Sequence, residues 1–423
     1  MSAPSPAVKG YRESVWWQLG LSAYWFATSY KWFVLLLFVL SSQVGEIVPG
    51  GEKNTAWGTV FMIGAIWAVI GPSVFGYLSD RCASRFGRRR PFIAIGSGLT
   101  VIALAILSQA QSLPMMIVGY LLLQVSDDVG TGPYGALIPE LVPENKRGRA
   151  SGYMGIMTLL AQIVSAVVAV SLSGNLFAIY AAIAIVNVLC AVWVLWTLKD
   201  VQDEAPKAEK STVEGFIRGW REPWRSRDFR WVWFTRFLNA LGFYMVQPYL
   251  LNYLTDRVVT FKAFGLNLDK ASTAVLAIGL TISLFGAFGA MWATRAADRI
   301  GRKRVILIAG MIMFVVLVPF ALIPQFPVIW GLSAVFGIGY GAYQSADWAL
   351  ASDVLPNLTD AGKDMGVWVA SISCVQIVAG GIGRAIDAGN RVDPGLGYVV
   401  VFLVASGVFL LSTILIRQVR GST

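Results

Sequence analysis

The sequence predicts an all-α membrane protein of twelve transmembrane helices in two pseudo-symmetric six-helix bundles. Three observations carry this. Over 423 residues, hydrophobic side chains make up 56% and charged ones 14%, with a mean hydropathy of +0.63; a soluble domain holds about 25% charged residues. The apolar residues fall in twelve runs of roughly 18 to 28 residues, each long enough to cross about 30 Å of hydrocarbon. The last six runs also repeat motifs of the first six. Twelve spans use most of the chain, which excludes a large extramembrane catalytic domain.

The first run, 15–43, is too long and too aromatic for a cleaved leader, so a retained helix is expected. Spans 57–79 and 91–111 flank a basic loop, and 113–138, 149–172 and 174–198 complete the first half. The longest polar stretch, Lys199 to Arg230, follows. Its Pro-, Glu- and Lys-rich part reads as a flexible linker. The Trp- and Arg-rich part around Gly219–Trp233 predicts a helix lying at the membrane interface. Spans 228–253, 271–294, 303–323, 326–351, 365–388 and 396–417 form the second half. The expected organisation is therefore a bundle over 1–198, a cytoplasmic linker with an interfacial helix over 199–227, and a bundle over 228–423.

The net charge of +10 does not point to nucleic acid. Most Lys and Arg lie in alternate loops, the asymmetry of cytoplasmic loops in multispan proteins. A multi-pass cell (inner) membrane location with both termini cytoplasmic follows as an expectation. Cys82, Cys190 and Cys374 sit in a loop or inside spans, so no disulfide framework is expected. There is no His at all, which removes His relays and His metal sites and leaves proton chemistry to carboxylates. No phosphate loop or Cys/His cluster is present, so no enzymatic activity, metal or cofactor is expected and transport would be secondary.

The halves share motifs. GRRRPFI at Gly87 recurs as GRKRVIL at Gly301, an offset of 214; ALIPELVP (Ala136–Pro143) echoes ALASDVLP (Ala349–Pro356) at 213; Gln162-Ile163-Val164 returns as Gln376-Ile377-Val378 at 214. A duplicated six-helix unit is the pattern of a transporter that rocks one half against the other around a midplane site.

GYLSDRCASRFGRRRPFI (Gly76–Ile93) resembles the loop between helices two and three of the major facilitator superfamily, and WATRAADRIGRKR (Trp292–Arg304) is similar to the degenerate copy between helices eight and nine. A carboxylate at a helix end, Asp80 or Asp298, can bind the positive N-terminus of a helix in the opposite half. Arg81, Arg88, Arg89, Arg299 and Arg302 would anchor to headgroups or pair with loop carboxylates, completing a cytoplasmic gate. Four extra residues separate Asp80 from Gly87 relative to Asp298 and Gly301. That spaced form resembles the sucrose-transporter family and its bacterial relatives in the glycoside–pentoside–hexuronide group. GPYGALIPELVP on helix four and YMVQPYLLNYLTD (Tyr244–Asp256) on helix seven add to the likeness.

Two departures qualify what the resemblance implies. The helix-four Asp assigned to proton coupling in plant sucrose transporters, and the Arg eleven residues later assigned to sugar binding, correspond here to Gln124 and Gly135. The helix-two carboxylates of sodium-coupled relatives are missing, since 59–79 carries no charge. Proton-coupled sucrose uptake by that family's own residue set therefore does not carry over, and with the helix-two carboxylates absent the proton is expected as coupling ion ahead of sodium.

An ionisable residue deep in a span costs about 2.5–3.5 kcal/mol on insertion scales and calls for a partner or a function. Five qualify: Lys31, Asp127 and Asp128, Arg236, and Asp347. They fall on helices one, four, seven and ten, which line the central cavity in the superfamily the chain resembles, and none is counted on the other eight. Lys31 is expected to face one of the two aspartates, and either Asp127 or Asp128 to carry the coupling proton. Polar and aromatic residues at helical spacing extend the candidate substrate site. They are Tyr24, Thr28 and Lys31 on helix one, Gln124 on helix four, and Arg236, Asn239, Phe243 and Gln247 on helix seven. Tyr340, Tyr343, Gln344 and Asp347 on helix ten, with Gln162 and Gln376 at repeat-equivalent places, complete it. Rings that stack on C–H faces beside amides that pair with hydroxyls suit a sugar.

The expected function is proton-coupled symport of a sugar, a sucrose- or maltose-like disaccharide or a glycoside, by alternating access. The partners would be that sugar and the lipid bilayer, with no nucleic acid, and the chain would work as a monomer. A proton-coupled exporter of amphiphiles or lipids is the alternative, and a non-transporting membrane sensor is the alternative of another class.

Overall fold

In a computed structural model, residues 12–48, 51–80, 82, 84–143, 147–199, 223–263, 265–353 and 361–419 are described. Helices stand at all twelve expected places. The first, α1, runs Val15–Val34, passes through a π turn at Leu35–Val39 and continues as Leu40–Ile47. α2 is in two pieces, Lys53–Ala68 and Gly71–Asp80, broken where Pro72 follows Gly71. α3 (Arg90–Ser108), α4 (Leu113–Gly135), α5 (Arg147–Ser171) and α6 (Leu176–Thr197) follow. α7 runs Arg227–Val246, tightens to a 3-10 turn at Gln247–Tyr249 around Pro248, and resumes as Leu250–Arg257. α8 (Ala271–Ile300), α9 (Arg302–Leu322), α10 (Phe326–Asp353), α11 (Ala361–Val392) and α12 (Leu396–Leu415) complete the chain. A two-stranded antiparallel hairpin, Lys262–Ala263 with Leu266–Asn267, joins α7 to α8.

Three helix starts carry side-chain caps. Ser14, Asn175 and Ser226 each accept from a backbone N–H three residues on, satisfying donors the first turn leaves open. Gly87, in the turn before α3, and Gly301, at the start of α9, have φ of 88° and 83°, a backbone region that glycine enters without steric cost. The repeated motif thus places a positive-φ glycine ahead of both helices, directly at the start of α9 and three residues before α3.

Nine helices among the described residues are long and apolar enough to cross a membrane by themselves. The three that fall short are α4, α7 and α11, and each carries buried charge: Asp127 and Asp128, Arg236, and Asp387. Asp387, in the eleventh span, is 3% exposed. It corrects the expectation that buried charge is confined to helices one, four, seven and ten.

Contacts divide the chain into two compact units, residues Met1–Leu35 with Trp67–Lys210 and residues Leu36–Ile66 with Ser211–Thr423. In the first, α1 packs on α5 and α6, α3 on α4 and α6, and the second piece of α2 on α4. In the second, α7 packs on α11 and α12, α9 on α10 and α12, and α8 on α10. These are the same pairings shifted by six helices, so the internal repeat is structural. Small residues permit the tightest approaches: a methyl group on Gly96 would meet Gly130 N at 2.7 Å, and one on Gly341 would meet Gly286 O at 1.9 Å. Most of the expected linker, 200–222, lies outside the described residues. From Pro223 a 3-10 turn leads into α7, so the part of the expected interfacial helix that is described joins the seventh span.

Candidate functional site

In the first unit, adjacent residues on α4 take different roles because successive side chains on a helix point about 100° apart. Asp127 faces α1. Its Oδ1 accepts from Lys31 Nζ at 2.5 Å and its Oδ2 from Trp32 Nε1 at 2.8 Å. The ammonium also lies 5.3 Å from the Trp32 ring centroid. Lys31 and Asp127 are 2% and 5% exposed, so the pair is closed, paired and hydrogen-bonded. Asp128 turns toward α2. It is 4% exposed, Gln124 and Trp67 are its polar neighbours, its Oδ2 makes no hydrogen bond of good geometry, and among the described residues no cation lies within ion-pair distance of it, Lys31 acting from further away. A methyl group on Gly71 would sit 2.3 Å from that oxygen and 2.6 Å from Trp67 Nε1, so the break in α2 makes room for the carboxylate and the indole together.

Of the other first-unit candidates, Tyr24 is packed into the unit against Tyr134, with ring centroids 5.2 Å apart, and its hydroxyl fills the space above Gly130. Thr28 and Gln124 are half-buried, the latter one turn before Asp128. Gln162 on α5 is half-buried with an unpartnered Oε1.

In the second unit, Arg236 on α7 donates to Asp347 Oδ2 on α10 at 2.5 Å, and its guanidinium carbon lies 3.6 Å from the centroid of the Trp368 ring on α11. Arg236 is 3% exposed and Asp347 fully buried. Two helical turns further along α7, Phe243 stacks on Tyr340 with centroids 4.6 Å apart and planes within 15°, and Phe336 extends the stack. Gln344 Nε2 donates to the Tyr340 hydroxyl at 3.1 Å. Tyr244 stands edge-on to Phe243 and hydrogen-bonds Gln376. Tyr343 is buried beside Asp347. Asn239 Nδ2 and Gln247 Oε1 are buried without partners. An unpaired buried amide group costs about 1–3 kcal/mol, which a hydroxylated ligand would offset. Lys31 and Asp127 thus meet in the first unit, and Arg236 with Asp347 and Phe243 with Tyr340 and Gln344 in the second, whereas Tyr24 serves packing. Sequence reasoning passed over Trp32, Trp67, Trp368, Tyr244 and Phe336, because aromatic residues in spans carry no distinguishing spacing.

The basic loop after α2 is built around a residue that the reading of the sequence did not single out. Glu140, in ALIPELVP, receives Arg89 at 2.5 Å and Arg88 at 3.0 Å, while Arg89 also binds Gly76 O at 3.4 Å and the Ser79 hydroxyl. Both arginines thus pair with a loop carboxylate. Arg81 and the side chains of Asp80 and Asp298 lie outside the described residues. Arg299 is exposed at the end of α8, and Arg302 opens α9. The three cysteines are free, and no metal-binding cluster occurs among the described residues.

The family model of the Major Facilitator Superfamily matches residues 19–358 and 232–421. The chain is similar to "Sucrose transport protein SUC4" of Arabidopsis thaliana, 27% identical over 151 residues, or 31% of this chain and 29% of that protein. It is also similar to "Sucrose transport protein SUC3" of the same plant, 24% identical over 127 residues, 25% of this chain and 21% of that protein. The match spans less than a third of the length of either relative. Among solved structures, the nucleoside transporter NupG has a TM-score of 0.71 at 15% identity, covering 95% of this chain and 98% of that one. A POT family transporter in complex with a thioalcohol-conjugated peptide has a TM-score of 0.73 at 16% identity, covering 95% and 96%. Likeness at these identities shows the fold.

Proposed function

The chain belongs to the Major Facilitator Superfamily and is a membrane transporter acting by secondary transport; from that premise we propose that it carries a sugar, a disaccharide or glycoside, together with a proton by alternating access. The observation that carries the coupling part is the contrast between neighbours on α4. Asp127 has both oxygens satisfied and Lys31 in direct contact, whereas Asp128 is buried with no cation in ion-pair contact among the described residues, Gln124 and Trp67 beside it and Lys31 acting only from a distance. A buried carboxylate without a contact ion pair costs several kcal/mol. A proton on Asp128 removes that cost, so the charged and neutral forms favour different hydration of the site and thereby different stages of the cycle. Asp127 then serves as the fixed partner that holds Lys31 and α1 in place.

For the cargo, the second-unit cluster supplies the stacked faces of Phe243 and Tyr340 and the unpaired amide atoms of Asn239 and Gln247. A pyranose offers the matching surfaces, C–H faces for the rings and hydroxyls for the amides. The partial similarity to two sucrose transport proteins supports the same class. The cytoplasmic position of both termini, and a single chain as the working unit, belong to this proposal.

The test is uptake of radiolabelled sucrose and maltose into proteoliposomes, with and without an imposed inward proton gradient and an uncoupler. Asp128→Asn is expected to abolish gradient-driven accumulation while retaining sugar exchange at equal concentrations. Accumulation driven by sodium instead would transfer the role from proton to cation. No sugar uptake by folded protein would sink the sugar reading and favour the amphiphile exporter.

A further inference from the structure

Within the second unit, a polar network centred on Asp387 joins the start of α2 to α7, α11 and α12. The carboxylate sits near the end of α11 and is 3% exposed, and all three donors that satisfy it come from two consecutive residues at the start of α2. Asn54 Nδ2 reaches Oδ1 at 2.8 Å, and the Thr55 backbone N–H and hydroxyl both reach Oδ2 at 2.7 Å. The network continues outward. Asn54 Nδ2 also contacts the Tyr398 hydroxyl at 3.0 Å, which donates to Asp256 at 2.7 Å, and Asp256 pairs with Lys53 at 2.7 Å. Asn252 Nδ2 donates to Asn54 Oδ1 at 2.7 Å, and Ser41 reaches Asn252 at 3.3 Å. Among the described residues no cation pairs with Asp387, since Lys53 is taken by Asp256 and Arg391 by Glu52.

The first turn of a helix leaves its N–H groups without intrahelical partners and carries partial positive charge. α2 begins at Lys53, and the Thr55 N–H is one of those open donors. Asp387 therefore acts as the N-terminal cap of α2, but supplied from α11 rather than from α2's own chain. Its negative charge is compensated only while residues 54–55 remain against α11. Separating the two elements strips three bonds from one buried carboxylate at a stroke, and only entering water can replace them. Such a contact has two stable arrangements, fully made and fully hydrated, with nothing favourable between.

We propose that Asp387 is the latch of the end of the transporter where α2 begins, holding the first piece of α2 against α7, α11 and α12 by capping it, and that its release is a required step in opening this end. The proposal rests on the transporter reading only in that one end must open; it does not depend on the cargo or the coupling ion.

The test needs no cargo. In a Cys82→Ser, Cys190→Ser, Cys374→Ser background, a single reporter is placed by Ala379→Cys, a wholly buried position two turns along α11 from Asp387. The rate of modification by a membrane-impermeant maleimide is measured in proteoliposomes. Asp387→Asn removes the charge and leaves one acceptor oxygen for three donors, so its NH2 meets at least one of them; it is expected to speed modification by at least about tenfold, the equilibrium change of one lost charge-assisted hydrogen bond. Thr55→Val, a milder change that removes one donor, is expected to give a smaller acceleration. The exchange variant Asn54→Asp with Asp387→Asn restores a carboxylate–amide pair across the same contact and is expected to return the rate toward the parent. Unchanged modification in folded Asp387→Asn and Thr55→Val, or an exchange variant as fast as Asp387→Asn, overturns the latch. Either result leaves the sugar and proton assignments standing, because labelling reads neither.

Discussion

Removing the Lys31 ammonium is the sharpest test of the division of labour on α4. The pair is closed at 2.5 Å with side chains 2% and 7% exposed. In Lys31→Met the Asp127 carboxylate keeps only the Trp32 N–H at 2.8 Å. Breaking a buried pair from one side costs about 3–5 kcal/mol, because the remaining charge is stranded. In a unit of this size each kcal/mol moves the melting temperature by about 2–4 °C, so a fall of roughly 6–12 °C is expected at the lower end of that range. Adding Asp127→Asn removes the stranded charge while an amide oxygen can still accept from Trp32. Replacing both ions by neutral groups is often close to neutral, so the double variant should recover most of the loss, to within about 1.5 kcal/mol of the parent. Thermal unfolding of the detergent-solubilised protein, followed by tryptophan fluorescence, reads all four corners of the cycle. A double variant as unstable as Lys31→Met, or a Lys31→Met protein melting within about 2 °C of the parent, would refute the assignment of Asp127 as a fixed structural partner.

Other consequences follow from the same geometry. Gly71→Ala places a methyl group 2.3 Å from Asp128 Oδ2; gradient-driven uptake should fall sharply, and combining it with Asp128→Asn should add no further loss of accumulation in the same vesicle assay. Glu140→Ala removes the carboxylate shared by Arg88 and Arg89, leaving the 4%-exposed Arg89 its neutral acceptors at Gly76 and Ser79, and should destabilise the first unit by less than a fully broken buried pair does, about 3–5 kcal/mol, read as a lower melting temperature; Glu140→Gln, which keeps one acceptor, should lose less. Phe243→Ala removes one face of a stack worth about 0.5–1.5 kcal/mol beyond its buried area; the half-saturation concentration for sugar should rise about two- to tenfold with little change in maximal rate, as measured by initial uptake over a concentration series.

Helix positions were legible because a span is a local property: about twenty apolar residues in a row declare it regardless of neighbours. The interruptions were less so. Pro72 and Pro248 are visible in the sequence, yet whether a span tolerates or breaks at a proline depends on what else satisfies the freed carbonyls. The buried charges stood out as anomalies, but their partners did not. Whether Lys31 meets Asp127 or Asp128 depends on the rotation of α4 relative to α1, a tertiary quantity that a 100° difference in azimuth decides. Asp387 was passed over for a different reason. A charge close to the end of a span reads as interfacial, and only the arrival of the start of α2 over it makes it buried.

The repeat gives the two charge pairs a further meaning. Each joins the same two helices of its half, with the cation on the first helix (α1 or α7) and the carboxylate on the fourth (α4 or α10). The offset of 214 carries Lys31 to Met245 and Asp127 to Gly341, yet the second pair stands nine residues earlier on α7, at Arg236, and six residues later on α10, at Asp347. At 1.5 Å per residue on antiparallel helices, both displacements run the same way, by about 9–14 Å. The position the second pair vacates is not left polar. Its nearest residues are Phe243, Tyr244 and Tyr340, the stacked and edge-on rings. Where the first half keeps ions, the second half at the equivalent level keeps aromatic faces. On the proposed sugar–proton reading, this asymmetry separates the tasks: the first half supplies carboxylates for an ion and the second supplies ring faces for a neutral, hydroxylated cargo.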